Sequence, residues 1–403
     1  MAAIEAFLAA AQSPVLQEPG QAPIALAAGS YSFEVRAAAV QVSAWNNEAQ
    51  LHRKIGGVAE AKRGRLTLTV EKFGGKTGTI VLYDAARPQS ETLQKQASRH
   101  VLREAMRVYI AKSFPGWKLT DLSADLDLEH SLSANYPRAL LRRGAAGIAV
   151  IGAGESHPSR VLTHGLIWLD YLRRREPSAA IETLAIFVPP EALTVTALRM
   201  RYLTNSTFRL FTYSRDGALR EEDPADWGNL NTELLPAAQA ERRSSIVGEE
   251  ALLELVIREQ LENFDATLVK QPVYAQVTSI AGVDHAIADL LAVDQAGRLA
   301  VIEIKTSEDI HLPLQALDYW MRIAHHAAQG DFAAKGYFPG VELRRDAPRL
   351  ILTAPALGFH PTTETILRFF SSNISVERIG IGLEWRHKLR VLFRYRGAER
   401  PGE

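Results

Sequence analysis

The sequence predicts an α/β chain in three parts: a small N-terminal β domain, then two α/β domains of one design, each a mixed sheet flanked by helices. Three observations predict it. Strand-like alternation fills residues 24–83. The order helix, hairpin, helix, strand then occurs twice, once on each side of residue 230. A gapless shift of 151 lays residues 137–169 on 288–320, with Leu140, Ala145, Ala149, Val150, Ile151, Ser156 and Leu166 identical. The expected division is a β-rich domain at 1–90, an α/β domain at 91–213, a linker at 214–247 and a second α/β domain at 248–403.

Composition fits this plan. A chain of 403 residues suits two to four domains at roughly 100–200 residues each. Its 47% hydrophobic and 23% charged content excludes wholesale disorder. Lys plus Arg (46) balances Asp plus Glu (46), which excludes a polybasic protein but leaves room for a local basic face. The absence of cysteine excludes disulfides, thiolate metal sites and cysteine nucleophiles. The N-terminus has no cationic start before its apolar run, unlike a signal peptide. The longest small and apolar stretch, 145–154, is too short for a bilayer. A cytoplasmic protein without a membrane partner is expected.

Residues 1–20 read as a loose lead-in. Strand-like runs follow at 30–45, 65–73 and 77–84, with Gly56-Gly57 and Gly74-Gly75 as turns. Residues 53–76 hold seven basic residues (Arg53, Lys54, Lys62, Arg63, Arg65, Lys72, Lys76) against Glu60 and Glu71. They form either a solvated face or a phosphate-contacting one, and the β domain is a candidate nucleic-acid binder. Next come a helix at 91–114 with Val101, Ala105, Val108 and Tyr109 on one side, a strand at 147–152, a helix at 159–174 and a strand at 184–188. Residues 214–247 are polar and rich in Gly, Pro and charge, hence the linker. Beyond it are a helix at 249–263, a hairpin at 286–305, a helix at 312–328 and strands at 350–353, 374–382 and 388–395.

The hairpin carries the chemistry. Two apolar runs flank Asp294-Gln295-Ala296-Gly297, and Gly297 suits the left-handed position of a short loop. With the turn centred on Ala296, residues whose numbers sum to 592 lie opposite each other. Asp289 and Glu303 then form a cross-strand pair about 5 Å apart at Cβ. Lys305, two residues on, shares their face. Two neighbouring carboxylates repel unless a cation joins them. Magnesium commonly binds one or two carboxylates plus phosphate oxygens. A lysine beside it can orient a water or stabilise phosphate charge. The set therefore suits phosphodiester hydrolysis.

These residues resemble the PD-(D/E)xK nuclease superfamily, the restriction-endonuclease-like fold. The resemblance covers about 248–357 and is greatest to its RecB-type, mismatch-endonuclease-like and tRNA-endonuclease-like branches. It implies Asp289 and Glu303 as metal ligands and Lys305 as the catalytic lysine. It implies that Gln315 and Tyr319 form a Gln-x-x-x-Tyr motif that supports the site and touches substrate. It also implies a glutamate on the preceding helix as a further catalytic and metal residue, with Glu250 preferred over Glu254. The cofactor implied is Mg2+ or Mn2+. The partner implied is DNA, single-stranded or branched forms included, with RNA as the other option and a homodimer as an assembly. Endo- or exonucleolytic cleavage is left open. The second class of function is a silent nucleic-acid-binding or assembly protein on the same fold. The proline that often precedes the first acid is missing.

In the gapless alignment Arg138 replaces Asp289, Gly152 replaces Glu303, and Gly154 replaces Lys305. His164 replaces Gln315 and Trp168 replaces Tyr319. The first α/β domain thus reads as a degenerate copy, which leaves one cutting centre per chain.

Other motifs compete less well. A second Glu-x-Lys, Glu60-Ala61-Lys62, has no upstream aspartate. The run 148–157 imitates a dinucleotide fingerprint through Gly152 and Gly154, but its third position is His157. Gly75-Lys76-Thr77 lacks the earlier P-loop glycine, since Val70 stands there. His285, His325 and His326 lack metal-ligand spacing. No helicase or ATPase motif occurs. The tail 378–400 has seven basic residues against two acids, a phosphate track or a plain surface.

Overall fold

The computed structural model describes residues 1–399 except 19–20, 22, 28, 37–38, 46–49, 72–76, 88–89, 215–216, 228–229, 231–232, 241–247 and 282–283. The Gly74-Gly75 turn, Lys72, Lys76 and Arg400 lie outside them. Three sheets follow one another along the chain.

The N-terminal part opens with helix α1 (Ala2–Ala10), then strands β1 (Pro14–Gln17), β2 (Ile24–Ala25), β3 (Tyr31–Arg36), β4 (Ala39–Trp45), β5 (Gln50–Lys62), β6 (Arg65–Glu71) and β7 (Thr77–Asp84). They form one antiparallel sheet in the order β2-β1-β7-β6-β5-β4-β3. Period-2 alternation sets its buried face, where Leu66, Leu68 and Val70 join Val42, Leu51, Ile80 and Leu82. The expected lead-in is ordered because Ile4 packs on this face and Leu16 pairs with Leu82. Gly56-Gly57 is no turn: β5 runs through it with register shifts, and the chain reverses at Gly64 (φ +81°). Arg53 bonds Glu18 (2.7 Å), Lys54 bonds Glu71 (2.9 Å) and Lys62 bonds Glu60 (2.6 Å), so these three basic residues make an ion-paired face.

Helix α2 (Ser90–Ser113) leads into β8 (Lys118–Ser123), β9 (Arg138–Arg143), β10 (Ala146–Gly152), α3 (Val161–Arg175), β11 (Ala180–Val188), α4 (Pro190–Met200), β12 (Thr207–Tyr213) and β13 (Leu219–Glu222). The buried face of α2 carries Met106, Tyr109 and Ile110, while Val101 and Val108 point outward. The sheet order is β13-β12-β11-β10-β9-β8. The third part has β14 (Glu233–Leu234), α5 (Ala237–Ala240), α6 (Glu249–Glu259), α7 (Leu261–Phe264), β15 (Tyr274–Ala281), β16 (Asp284–Val293), β17 (Leu299–Ile304), α8 (Leu312–Gln329), α9 (Asp331–Ala334), β18 (Arg349–Pro355), α10 (Thr363–Leu367), β19 (Ser375–Ile381) and β20 (Val391–Arg396). Its order is β14-β15-β16-β17-β18-β19-β20. The expected linker is partly built into both sheets, since β13 pairs β12 and β14 pairs β15. Polar composition concealed this, because both are edge strands with one wet side.

The two mixed sheets share a topology. In each, an antiparallel three-strand run (β8-β9-β10 or β15-β16-β17) leads through a helix (α3 or α8) to two parallel strands and an antiparallel edge strand. The detailed alignment differs from the gapless one. The β9–β10 pairs sum to 289 around a two-residue turn, whereas the β16–β17 pairs sum to 592 around a longer one. One residue is therefore missing at the first turn. Leu140 and Arg138 keep their matches with Leu291 and Asp289, but β10 moves by one. A slip of one residue reverses which face a side chain takes. Ile151, not Gly152, corresponds to Glu303. Ala153, not Gly154, corresponds to Lys305: each donates its N–H to the strand beyond, Ala153 to Phe187 and Lys305 to Thr353 (both 2.9 Å). The identities at Ala149, Val150 and Ile151 belong to apolar strand composition.

The α3 face of one sheet and the α8 face of the other close on a single continuous core. Met106 of α2 and Leu253 of α6 fill separate cores on the outer faces. At the junction the segments preceding the equivalent strands β12 and β19 pair with each other: Thr204 N–H donates to the Phe369 carbonyl (2.7 Å) and Ser371 N–H to that of Tyr202 (2.8 Å). Among the described residues no helix is long and apolar enough to cross a membrane.

His164 sits in this junction. Burial, then His311, hold its imidazole down to about 3, and His311 itself is held at about 4 by burial and then Arg160. Both values are below the unfolded 6.5, so the stability they contribute is complete above pH 6.5 and is lost as pH falls toward 4 and 3. His164→Gln should remove on the order of 2 kcal/mol of the stability lost at pH 5 and leave the similar share due to His311, as read from denaturation at pH 7 and pH 5. Equal pH dependence in the two proteins would refute this assignment.

Candidate active site

The turn between β16 and β17 is built by Asp294, whose Oδ1 accepts the N–H of Ala296 (3.0 Å) and of Arg298 (2.9 Å). Gly297 has φ +80°, and a Cβ there would collide with the Glu342 carbonyl. Gly297→Ala should therefore destabilise the domain by about 1–3 kcal/mol in urea melts, through left-handed strain and backbone crowding. An unchanged midpoint would contradict this.

The register is Leu290 to Ile302, Leu291 to Val301, Ala292 to Ala300 and Val293 to Leu299. One further step puts Asp289 opposite Glu303. Beyond Leu290 the strands part, and the Asp289 side chain takes over: its Oδ2 accepts the Ile304 N–H at 2.8 Å. Glu303 is 1% exposed in an otherwise apolar strand, and its Oε2 has no hydrogen-bond partner among the described residues. The Lys305 ammonium lies 3.5 Å from Glu303 Oε1 and 3.7 Å from Glu250 Oε2. On α8, Gln315 Nε2 donates to the Tyr319 hydroxyl (3.2 Å). The helical i, i+4 spacing places both on one face.

The charges are mutually strained. Burial pushes the Asp289 carboxyl up to about 6, against the Ile304 N–H and Lys305. Burial and the Asp289 charge push Glu303 well above the carboxylate range and Glu254 up to about 7. Burial opposes the Lys305 ammonium, yet Glu303, Glu250 and Asp289 together hold its value above the ordinary one. Burial, then the Glu303 charge, lift the Tyr319 phenol to about 12. The six expected residues thus gather: Asp289, Glu303, Lys305 and Glu250 directly, with Gln315 and Tyr319 on the covering helix. Glu254, the alternative to Glu250, also faces the site through Asp289. Of the helix glutamates, Glu250 pairs with the lysine, while Glu254 feels the charge of the aspartate.

A divalent ion fits this donor set. Among the described residues no three His, Cys, Asp or Glu side chains are arranged to hold an ion by themselves. Magnesium does not need three, because water and substrate phosphate complete its shell. The orphaned Glu303 oxygen and the raised carboxyls are what a dication would relieve.

The first mixed sheet does not offer the same donors. Arg138 occupies the place of Asp289, buried, with Nη1 donating to the Asp125 carbonyl (2.9 Å) and its guanidinium 5.7 Å from the Trp168 ring. Ile151 and Ala153 hold the other two places. The glycines of the imitation fingerprint have a packing reason: a Cβ at Gly152 would lie 2.5 Å from Met106 Sδ, and one at Gly154 3.2 Å from Leu102.

The basic tail is largely ion-paired as well. Arg378 bonds Glu364 (2.8 Å), Arg394 bonds Glu377 (2.6 Å), Arg386 bonds Glu249 and Arg390 bonds Glu384. Its described arginines favour a plain paired surface over a continuous phosphate track. Sequence reasoning missed the partners of Asp318, which lies inside the Gln-x-x-x-Tyr helix. Arg199 grips it through Nε to Oδ1 (2.8 Å) and Nη2 to Oδ2 (2.7 Å). A partner 119 residues away leaves no local sequence signal.

No family model matches the chain, and the search of curated proteins returns no match. Among solved structures, one titled "Structure of EndoMS in apo form" aligns at 9% identity over 53% of this chain and 92% of that one, with a TM-score of 0.19. A likeness at that score carries no argument.

Proposed function

We propose that the chain is a divalent-metal-dependent nuclease that hydrolyses DNA phosphodiester bonds at one site per chain, in residues 248–403. The observation that carries this reading is the convergence of Asp289, Glu303 and Lys305 at the end of one hairpin, with a Glu303 oxygen buried and unpartnered among the described residues. Asp289 and Glu303, with Glu250 at the rim, would hold Mg2+ or Mn2+. When bound, that ion supplies Lewis-acid polarisation of the phosphate and acidifies water.

The chain's own residues do the rest. Lys305 holds a positive charge where a water or a phosphate oxygen would stand, so it orients the nucleophile and offsets charge developing on the phosphate. Gln315 and Tyr319, bonded to each other, wall the site from α8 and offer polar contacts to the substrate. Burial excludes water from the carboxylates and strengthens each of these interactions. In this reading residues 1–90 are a further module, 91–213 a copy without chemistry and 214–247 a connection between the copies. With one site, a monomer nicks one strand. Cleavage of both strands requires two chains, so linear product from dilute monomer would contradict a single centre.

A second reading has one observation behind it. Lys305 already pairs with two carboxylates, as in a structural ion cluster of a silent nucleic-acid-binding protein. Cleavage assays with Mg2+ and Mn2+ on single-stranded, duplex and branched DNA, and on RNA, separate the two. Activity that disappears in Glu303→Ala and Lys305→Ala is expected. No cleavage of any substrate with either metal would overturn the nuclease reading.

A further inference from the structure

The junction between the two copies bears directly on α8. Arg199, on α4 beside the first mixed sheet, is almost fully buried and forks onto both oxygens of Asp318. Its Nη1 also donates to the Ser159 carbonyl. A second tie holds the start of the same helix: His311, the residue before α8, bonds the Thr163 hydroxyl of α3 (3.1 Å). Tyr202 packs edge-on against Trp320 at 5.4 Å. Asp318 adjoins Tyr319 and lies three residues after Gln315, so the face gripped by Arg199 borders the face that covers Glu303.

Burying a guanidinium and a carboxylate is an inefficient way to glue two domains, since apolar side chains of similar volume usually do as well or better. A planar two-point fork does something apolar contacts do not: it fixes rotation about the helix axis and position along it. We propose that Arg199 is a positioning residue for the site in the other copy, acting through Asp318 to aim Gln315 and Tyr319 at Glu303. This rests on the nuclease reading above for its consequence, but not for its geometry. The copy that lost its acids is thereby a working part of the enzyme.

The test compares wild type with the double variant Arg199→Met/Asp318→Leu, which leaves no buried charge orphaned, and with Arg199→Lys, which keeps the charge but not the fork. Three readouts are taken: thermal midpoint, kcat and KM for DNA cleavage with Mn2+, and fluorine NMR of 3-fluorotyrosine protein, with the Tyr319 resonance assigned by Tyr319→Phe. The double variant should melt near the wild type and keep KM within about threefold. Its kcat should fall about 100-fold, the scale of a misplacement near 1 Å. Its Tyr319 resonance should shift or split. Arg199→Lys should fall between. A stable double variant with wild-type kcat and an unmoved Tyr319 resonance would overturn the proposal. If wild type cleaves nothing, the nuclease reading fails, and the fluorine spectrum alone still decides whether Arg199 sets the helix. If the double variant does not fold, Arg199→Lys decides: an unmoved Tyr319 resonance in it refutes the positioning role.

Discussion

Glu303→Gln is expected to lower metal-dependent cleavage by about 1,000-fold while leaving the thermal midpoint at or above that of the wild type. The two effects share one cause. Glu303 is buried, sits opposite Asp289 and leaves one oxygen without a partner among the described residues. Its negative charge is costly in the folded chain and tolerable only because Lys305 stands 3.5 Å away. An amide keeps the shape and removes the like-charge repulsion, so folding loses little. Chemistry loses the anionic ligand and the field that orients Lys305, together on the order of 1,000-fold, the scale of one preorganised charge. A purely structural cluster gives the opposite pattern: Lys305 would lose a partner, and the midpoint would drop. Melting and cleavage of one variant therefore separate a site from an ion pair.

The second large effect is expected at the junction. Asp318→Ala should cost about 3–5 kcal/mol in urea unfolding, because it leaves the buried Arg199 guanidinium unpaired. Nearly all of that penalty should vanish when Arg199→Met is added, since the cost is that of an orphaned charge rather than of a lost contact. A loss below 1 kcal/mol in the single variant would mean that water reaches Arg199, against its burial. Because the two mixed sheets share one core, unfolding is expected to engage both together.

What was legible in the sequence depended on how local its cause is. The hairpin register followed from one turn: a glycine fit for positive φ and an aspartate fit to cap it fixed the centre, and period-2 alternation did the rest. The same logic placed Lys305 beside Glu303. The strands β8, β12 and β15 escaped notice, as did α4, because short apolar runs in them are interrupted by polar residues such as Thr, Ser and Gln. The first-copy alignment failed by one residue at a turn, where insertions cost little and where runs such as Ala149-Val150-Ile151 match by composition. The tail and the 53–62 face looked basic because their acids, Glu18, Glu249, Glu364 and Glu377, lie elsewhere in the sequence or on neighbouring strands. Arg199 is the clearest case, since nothing near it announces a carboxylate 119 residues away.

The most direct measurement is the anomalous diffraction of crystals grown with Mn2+. A peak held by carboxylate oxygens of Asp289 and Glu303, with Lys305 turned away from Glu250 toward the bound water, is the expected result. It should be lost in Glu303→Gln. Saturating Mn2+ with no anomalous density at these two side chains, or a peak that persists in Glu303→Gln, would contradict the assignment of this hairpin as a metal-dependent site.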